Sequence, residues 1–278
     1  MMNADRTGFL RRCSVIVVTG GSSGIGAEFL KAVTKLSHAP VVCNLSRSRP
    51  SDFTESGHRK HIPCDLEKLD DLQRAAAEVL EAVKQSPYPG GVLLVNNSGF
   101  GLYGEFPEDA PEKIGAMVDL NCRAPVLLTA LLWPELMRRG GAVLNVASLA
   151  AFQPTPFLAT YAATKAFLLN WSVALDAEGR RHGVRALALC PGPTPTNFFR
   201  RAGFGEAPVA GYGTTVEHVV SDAWRALARG HAKVVPGWPN KIVAFLTGLL
   251  PRRFSARCGW YLMARMRLKA LRDKALRG

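Results

Sequence analysis

Short apolar runs alternate along this chain with longer segments in which apolar residues recur every three or four positions. The runs are rich in valine and leucine and predict strands, whereas the longer segments have helical periodicity. The predicted strands cover 14–18, 41–46, 91–97, 142–148, 184–190 and 233–237. The predicted helices cover 25–36, 66–85, 111–138, 157–180 and 215–229. The early strands are apolar on both faces, so we expect a doubly wound α/β fold with helices on each side of a parallel sheet.

The pattern predicts one domain over 1–240 and a basic helical extension over 241–278. Two helices are expected in the extension, with a break at Pro251. The second alternates basic residues with Trp260, Leu262, Met263, Met266 and Leu271. Such a basic amphipathic helix can make peripheral contact with a membrane or recruit a partner. The alternative is a helix that packs on its own domain or across a dimer.

The composition is that of a globular protein with a substantial core, at 47% hydrophobic and 21% charged residues. The six cysteines show no C-x-x-C spacing and are interpreted as small apolar side chains in a reducing compartment, the cytoplasm. The histidines lack ligand spacing and predict no metal site. We find neither a secretory signal nor the run of about 20 apolar residues that a spanning helix needs.

The positive charge is concentrated near the end of the chain. A net charge of +13 by itself suggests a nucleic-acid partner. However, ten of the 35 Lys and Arg residues follow Asn240, where Asp273 is the only acidic residue. Because the rest of the chain is close to neutral, we expect no nucleic-acid binding.

A glycine-rich stretch, TGGSSGIG at 19–26, follows the first predicted strand. Glycines at this turn let the backbone approach a pyrophosphate, whose charge is met by free N–H groups at the start of the next helix. The stretch therefore predicts a dinucleotide site of the Rossmann type. Its predicted cofactor contacts are Gly20, Ser22, Ser23, Gly24, Ile25 and Gly26. The alternative is a turn that only tightens the packing of strand on helix.

The residues after the second predicted strand favour NADP(H) over NAD(H). Sites for NAD place a carboxylate about 20 residues after the glycines, on the ribose 2′-hydroxyl. The segment NLSRSRP has no carboxylate there. Arg47, with Ser22, Ser48 or Arg49 nearby, is suited to a 2′-phosphate. The alternative is that Arg47 is a solvated loop arginine.

Several motifs together resemble the short-chain dehydrogenase/reductase superfamily over about 14–237. They are TGGSSGIG, the CDL of Cys64–Leu66, NNSG at Asn96–Gly99, Asn121, Ser148, YAATK at Tyr161–Lys165 and PGPTPT at Pro191–Thr196. The resemblance implies hydride transfer between a nicotinamide cofactor and a carbonyl or secondary alcohol of a small-molecule substrate. It also implies a homodimer or homotetramer.

The resemblance assigns roles to individual residues. Asp65 would hydrogen-bond the adenine ring, and Thr196 would contact the nicotinamide carboxamide. Lys165 would hold the nicotinamide ribose, and Asn121 would position a water that links Lys165 to solvent. Asn96 would stabilise the central sheet. The other implied cofactor contacts are Leu66, Asn97, Pro191, Gly192 and Thr194.

Tyr161 and Lys165 are predicted to act together, because a separation of four residues puts both side chains on one helical face. An ammonium about 4 Å from the hydroxyl, at an effective dielectric of about 20, contributes about 4 kcal/mol. That would bring the tyrosine pKa from about 10 close to neutrality, less what desolvation takes back. We expect Tyr161 to protonate the carbonyl oxygen while Ser148 donates a hydrogen bond to it. Without Ser148 and the glycine loop, such a pair would more often be a surface tyrosine beside a solvated lysine.

The predicted substrate is a sizeable apolar ketone or acyl chain. The segment after PGPTPT resembles a lid over the substrate and carries Phe198, Phe199, Phe204 and Tyr212. An acidic group on the substrate is a further option, because Arg200 and Arg201 could bind it. The alternative is that both are solvated arginines of the lid. A steroid, a 3-oxoacyl thioester, a retinoid and a xenobiotic all fit this pattern.

A second class of function is a regulator that binds NADP(H) and responds to its redox state without turnover. The presence of Ser148, Tyr161 and Lys165 together argues against it, because a sensor does not need all three.

Overall fold

A parallel sheet of seven strands forms the centre of the structure, as the apolar runs predict. The computed structural model describes residues 8–204 and 213–275. The strands are β1 Cys13–Thr19, β2 Val41–Ser46, β3 Arg59–Pro63, β4 Gly91–Asn96, β5 Gly141–Val146, β6 Val184–Leu189 and β7 Lys233–Val234. Their order is β3-β2-β1-β4-β5-β6-β7. The strand order reverses between β1 and β4, and ligands of such sheets bind at the carboxyl ends of the strands beside that point.

The strand β3 has no counterpart among the predicted elements. Its residues read RKHIP, and only Ile62 is buried. β3 lies at the edge of the sheet and pairs with β2 alone. Because an edge strand tolerates polar side chains, β3 lacks the apolar run from which the other strands are predicted.

Helices cover both faces of the sheet. They are α1 Gly24–Val33, α2 Leu69–Lys84, α3 Pro111–Val118, α4 Ala124–Arg139, α5 Ala159–Gly179, α6 Phe198–Arg201, α7 Val216–Ala228, α8 Trp238–Leu249 and α9 Arg252–Ala275. The predicted helix over 111–138 is divided into α3 and α4 by a π-helical turn, Asp119–Arg123. Single π-turns inside helices are frequent at functional sites, and this one contains Asn121.

Alternate residues of the central strands face two separate cores. On one side Ile16 packs in a cluster with Phe29 of α1 and Trp224 of α7. The rings of Phe29 and Trp224 meet edge to face, with centroids 4.9 Å apart. On the other side Val17 packs in a cluster with Leu128 of α4. The sheet is therefore covered on both faces, which explains why its strands are apolar throughout.

The segment 111–139 is long and apolar enough to cross a membrane by length and composition alone, and an 18-residue window within it has a mean hydropathy of 1.3. Charged residues, Asp119 among them, divide the segment, so it contains no uninterrupted apolar run of about 20 residues. Leu128, Leu132 and Leu136 of this segment are buried in the core beside the sheet. The segment is thus part of the packed domain.

The helices α8 and α9 flank Pro251, where the sequence predicts a break. α9 is attached to the main domain by the hydroxyl of Tyr103, which donates to the carbonyl oxygen of Met263 at 2.9 Å. The division into a domain over 1–240 and an extension over 241–278 stays a prediction.

Candidate active site

A cleft of about 740 Å³ opens at the carboxyl ends of β1, β2, β4, β5 and β6. Most of the residues that the sequence predicts for the site line this cleft. They are Gly20, Ser22, Ser23, Gly24, Ile25, Arg47, Asp65, Leu66, Asn97, Ser148, Tyr161, Lys165, Pro191, Gly192, Thr194 and Thr196. Gly26 and Asn121 are not among the lining residues.

The glycine loop connects β1 to α1 with a backbone that other residues rarely adopt. The angle φ is +68° at Gly20 and +58° at Gly24. A β-carbon on Gly24 would also lie 3.1 Å from the Cγ2 atom of Thr196. A β-carbon on Gly26 would collide with the carbonyl oxygen of Gly20 and the amide of Asn97. Gly26 therefore lies behind the loop and permits its packing, whereas Gly20 and Gly24 face the cleft.

Two asparagines fix this loop. The backbone N–H of Asn97 donates to Thr19 Oγ1 at 2.9 Å, and its side-chain amide donates to the Thr19 carbonyl at 3.0 Å. Asn44 is fully buried in β2, and its Oδ1 accepts from the N–H of Gly21 at 3.1 Å. Asn44 was not among the residues predicted for the site. The available signal was a polar residue inside the apolar run VVCNLS.

The loop and the start of α1 fit the pyrophosphate of a nicotinamide dinucleotide. The first N–H groups of a helix have no acceptor within it, and Ser22–Ile25 at the start of α1 line the cleft. The absence of side chains at Gly20 and Gly24 leaves the backbone open to a ligand. An anionic group at this position would meet both the N–H groups and the positive end of the helix dipole.

Arg47 lies at the mouth of the cleft, with its side chain 70% exposed. Its Nη1 atom is 4.0 Å from Glu67 Oε1. Burial raises the pKa of Glu67 and the Asp65 carboxylate adds to this, whereas Arg47 lowers it. Solvent-exposed ion pairs of this length contribute at most about 1 kcal/mol. Arg47 is therefore free to exchange Glu67 for another anionic partner.

Ser148 follows β5 and begins a 3₁₀ turn, Leu149–Phe152. Its Oγ accepts from the N–H of Ala150 at 3.1 Å, which holds the side chain in one orientation. The side chain also hydrogen-bonds the Tyr161 hydroxyl. Ser148 and Tyr161 thus present two hydroxyl groups side by side in the cleft.

Tyr161 and Lys165 lie one turn apart on α5, and both side chains are buried. Burial raises the pKa of Tyr161 to about 12, against which the hydrogen bond with Ser148 acts. The expectation of a near-neutral pKa for this hydroxyl is therefore wrong for this structure. The sequence provides no measure of how much desolvation would take back, and in the folded chain desolvation is the dominant effect.

The Lys165 ammonium donates to the carbonyl oxygen of Val146 at 2.8 Å. It lies over the Tyr161 ring, 5.8 Å from the ring centroid. Burial lowers the pKa of Lys165 to about 8, although Cys122 and Cys190 act to raise it. Lys165 is therefore still mostly protonated at neutral pH.

Asn121 supports the site from behind. Its amide nitrogen donates to the carbonyl of Phe100 at 2.9 Å and to Thr164 Oγ1 at 3.0 Å. Its Oδ1 accepts from the N–H of Phe100 at 3.1 Å. The side chain is thus committed to the loop after β4 and to α5. The role that the resemblance implies, positioning a water for Lys165, stays a prediction.

Asn96, at the end of β4, donates to Asn145 Oδ1 of β5 at 2.8 Å and to Thr129 Oγ1 of α4 at 3.2 Å. All three side chains are buried. Asn96 therefore ties two central strands and a covering helix together beneath the cleft, in the position that the resemblance implies.

Aromatic side chains form one wall of the cleft beside Tyr161. The ring of Phe198 lies 5.2 Å from that of Tyr161, centroid to centroid. Phe199 meets Phe198 edge to face at 5.5 Å. Phe204 stacks on Tyr103 with centroids 3.8 Å apart and planes 8° from parallel. The predicted lid residues in the described part of the chain are thus packed against the catalytic side of the cleft.

Other residues of this wall were not predicted from the sequence. Phe100, Leu158 and Lys113 line the cleft, together with Arg201, which the sequence had already suggested as a contact for an acidic substrate group. These four residues come from two loops and two helix ends, so no local motif joins them. Tyr212, which was predicted for the lid, lies outside the described residues.

Comparison with known proteins places the chain in a family. The sequence profile of the short chain dehydrogenase family matches residues 14–205. The uncharacterized oxidoreductase DltE of Bacillus subtilis is 31% identical over 181 residues, 64% of this chain and 70% of that protein. A very-long-chain 3-oxoacyl-CoA reductase of Phaeosphaeria nodorum is 31% identical over 174 residues, 60% of this chain and 51% of that protein. The chain thus spans about half the length of the second relative.

Solved structures share the fold. A short chain dehydrogenase of Burkholderia cenocepacia in complex with NADP has a TM-score of 0.70 at 25% identity, covering 86% of this chain and 99% of that one. A short chain dehydrogenase/reductase of Burkholderia phymatum in complex with NAD has a TM-score of 0.71 at 19% identity, covering 84% and 92%. The fold thus occurs with NADP in one of these proteins and with NAD in the other.

The matched region runs from β1 through β6 and includes the glycine loop together with the face of α5 that carries Tyr161 and Lys165. The sequence match and the arrangement of the cleft therefore lead to the same assignment. This chain belongs to the short-chain dehydrogenase/reductase family of oxidoreductases.

Proposed function

We propose that the protein is an NADP(H)-dependent oxidoreductase that interconverts a carbonyl and a secondary alcohol on an apolar substrate. The observation that carries this proposal is the convergence of Ser148, Tyr161 and Lys165 in the cleft that also contains the glycine loop. Each group has a function that the other two cannot replace.

The bound dinucleotide supplies the hydride that reduces the carbonyl carbon. Ser148 donates a hydrogen bond to the carbonyl oxygen and draws negative charge onto it. With a pKa of about 12, Tyr161 holds its proton at neutral pH and transfers it as that oxygen gains charge. The C–H and O–H bonds of the alcohol are then complete, and the phenolate takes a proton back from solvent.

Lys165 acts on the phenolate rather than on the substrate. Its ammonium, 5.8 Å from the centre of the Tyr161 ring, is a positive charge in a buried region where such charges interact strongly. Proton transfer creates a negative charge on Tyr161, and Lys165 lowers the energy of that state. In alcohol oxidation the same phenolate accepts the hydroxyl proton.

NADP(H) is the proposed cofactor because Arg47 offers an exposed, weakly paired guanidinium at the mouth of the cleft. Its pairing with Glu67 is long and exposed, and a 2′-phosphate would make shorter, charge-assisted hydrogen bonds. Ser46 and Ser48, next to Arg47, also line the cleft.

The proposed substrate is a ketone attached to an apolar chain or ring. Phe198, Phe199 and Phe204 supply the apolar wall, while Lys113 and Arg201 also line the cleft. A 3-oxoacyl thioester, whose carrier is anionic, would use both features. The name of the Phaeosphaeria nodorum relative points to the same substrate class.

The proposal also includes a homodimer or homotetramer in the cytoplasm. The cysteines of the described chain are all free, which is compatible with a reducing compartment. Light scattering on the full chain measures the oligomeric state.

The test is to assay a panel of carbonyl substrates with NADPH and to measure turnover from the absorbance of the reduced nicotinamide. We expect kcat/KM to rise with the length of the apolar chain across 3-oxoacyl thioesters. Phe198→Ala should remove most of that rise, whereas Phe106→Ala, a phenylalanine 73% exposed and outside the cleft, should not. NADPH binding without turnover on any carbonyl or alcohol would overturn the proposal and favour a redox sensor.

A further inference from the structure

The outer face of α8 is made of large apolar side chains that are exposed to solvent. Their exposed fractions lie between 47% and 73%, and the residues are Trp238, Ile242, Phe245, Leu246 and Leu249. Their spacing places them on one side of a helix. The buried residues, Asn240 and Ala244, lie on the opposite side. An ordinary surface helix has the reverse arrangement, with its apolar stripe turned inward.

A polar anchor fixes this orientation. The amide of Asn240 donates to the carbonyl of Pro236 at 2.7 Å and to Thr214 Oγ1 at 3.3 Å. A β-carbon on Gly192 would collide with that amide, so the first turn of α8 lies directly against the loop after β6. The apolar face therefore points outward because the helix is held by its polar side.

The helix α9 does not cover this face. Its Met263 is buried and faces the domain, and Trp260, although 50% exposed, lies 6.4 Å from the ring of Phe157. The outer side of α9 instead has Phe254 and Tyr261, at 53% and 68% exposure. Of the apolar residues predicted for the second helix of the extension, Trp260 and Leu262 are exposed, at 50% and 63%, so the described part of α9 also has exposed apolar side chains.

The charge around this surface has a single sign. From residue 223 to 272 the sequence contains no aspartate or glutamate. The exposed cations of α8 and of the first four turns of α9 are Lys241, Arg252, Arg253, Arg257 and Arg265. Apolar side chains flanked by cations, with tryptophan and tyrosine among them, are typical of helices that lie in a membrane interface.

We propose that α8, with the start of α9, binds the surface of an anionic lipid bilayer. The apolar face of α8 would enter the boundary between headgroups and acyl chains, and the flanking cations would contact lipid phosphates. At 12 residues α8 is only about 18 Å long, too short to span a hydrocarbon core of about 30 Å. The contact is therefore peripheral, and it does not depend on the proposed reaction.

A second copy of the chain is a poorer occupant. In a two-fold symmetric contact each face meets itself, so the cations of one copy would meet those of the other. Neither α8 nor the adjoining part of α9 has a carboxylate with which to pair them. An anionic bilayer satisfies both the apolar side chains and the charge.

Flotation of the full chain with vesicles tests this proposal. We expect binding to vesicles that contain phosphatidylglycerol, weaker binding to pure phosphatidylcholine, and a decrease with salt. The double variant Phe245→Ser, Leu249→Ser should abolish binding. Arg252→Gln and Arg253→Gln should each weaken binding to the anionic vesicles by about fivefold.

The control variants are Leu69→Ser and Arg229→Gln, which change an exposed leucine and an exposed arginine outside α8 and α9. Both should bind the vesicles as the unaltered chain does. Melting temperature and NADPH binding of each variant check that its fold is intact. Absence of vesicle binding, or equal binding by the double variant, would overturn the proposal. So would a dimer that the double variant dissociates in the absence of lipid, because the face would then belong to a second copy.

Discussion

The Lys165 ammonium lies over the ring of Tyr161, 5.8 Å from its centroid, while it donates to the carbonyl of Val146. Burial shifts the two pKa values in opposite directions, to about 12 for Tyr161 and to about 8 for Lys165. The group that titrates nearest to neutrality is therefore the lysine. Tyr161 keeps its proton over the physiological range and is available as an acid.

The rate of carbonyl reduction should fall as the pH rises through about 8. Lys165 loses its proton there, and a neutral amine no longer stabilises the phenolate that forms as Tyr161 gives up its proton. The measurement is kcat/KM for a ketone with NADPH as a function of pH. Lys165→Arg retains its charge over this range and should give a lower but flat profile. A fall in kcat/KM at the same pH in Lys165→Arg would show that a group other than Lys165 titrates.

Arg47→Ala should weaken NADPH binding and leave NADH binding nearly unchanged. A hydrogen bond to a charged group is worth about 1.5–3 kcal/mol, which corresponds to roughly 10- to 150-fold in Kd. Fluorescence titration with each cofactor measures the effect. The matched control is Arg49→Ala, because Arg49 pairs with Glu55 and is not among the lining residues. Equal losses for both cofactors would argue against a 2′-phosphate contact.

Asn44→Ala should destabilise the glycine loop and leave the proposed catalytic residues unaltered. The change removes the acceptor for the buried N–H of Gly21, which costs about 1–3 kcal/mol. We expect a lower melting temperature and weaker binding of NADPH and NADH alike. Gln85→Ala, an exposed amide on a helix end, is the control and should change neither. An unchanged melting temperature for Asn44→Ala would contradict the role given to this residue.

Asp176 links α5 to β6 and should make stability depend on pH in acid. Burial raises its pKa, but hydrogen bonds from Ala186, Arg185 and Arg180 outweigh this and hold the pKa below its ordinary value of 3.8. Its charged form therefore contributes stability above that value, and the contribution is lost as the pH falls through the lowered pKa.

Asp176→Ala should lower the free energy of unfolding by about 1–3 kcal/mol at neutral pH, because it leaves the buried N–H of Ala186 without its acceptor and removes the carboxylate that pairs with Arg185. Urea unfolding at neutral and at acid pH measures the difference, which should shrink in acid. The exposed Asp52→Ala is the control. A difference that stays constant with pH would mean that the carboxylate charge is not responsible.

Much of the fold could be predicted because strands that are buried on both faces leave apolar runs in the sequence. β3 left none, since it lies at the sheet edge and only Ile62 needs burial. The division between α3 and α4 was also missed, because a π-helical turn keeps the apolar spacing nearly helical. The outward apolar face of α8 could not be predicted, because periodicity shows that a face exists and not which way it points.

The candidate site was predictable where one motif contains all its parts, as in Tyr161 and Lys165. The role of Asn44 could not be predicted, because its partner Gly21 follows a different strand and the two residues meet only in the folded sheet. Spacing also placed the Lys165 charge near Tyr161 without giving the burial of either group. The predicted shift in the pKa of Tyr161 therefore had the wrong direction, although the residue lies in the cleft as predicted.

The most direct test of the account is Tyr161→Phe, which removes one oxygen and leaves the ring. The measurement is steady-state turnover of a ketone with NADPH, together with the Kd of NADPH, and Tyr88→Phe, an exposed tyrosine, is the control. We expect a loss of about 10²–10⁴-fold in kcat and an unchanged Kd for NADPH. Undiminished turnover of Tyr161→Phe would contradict it.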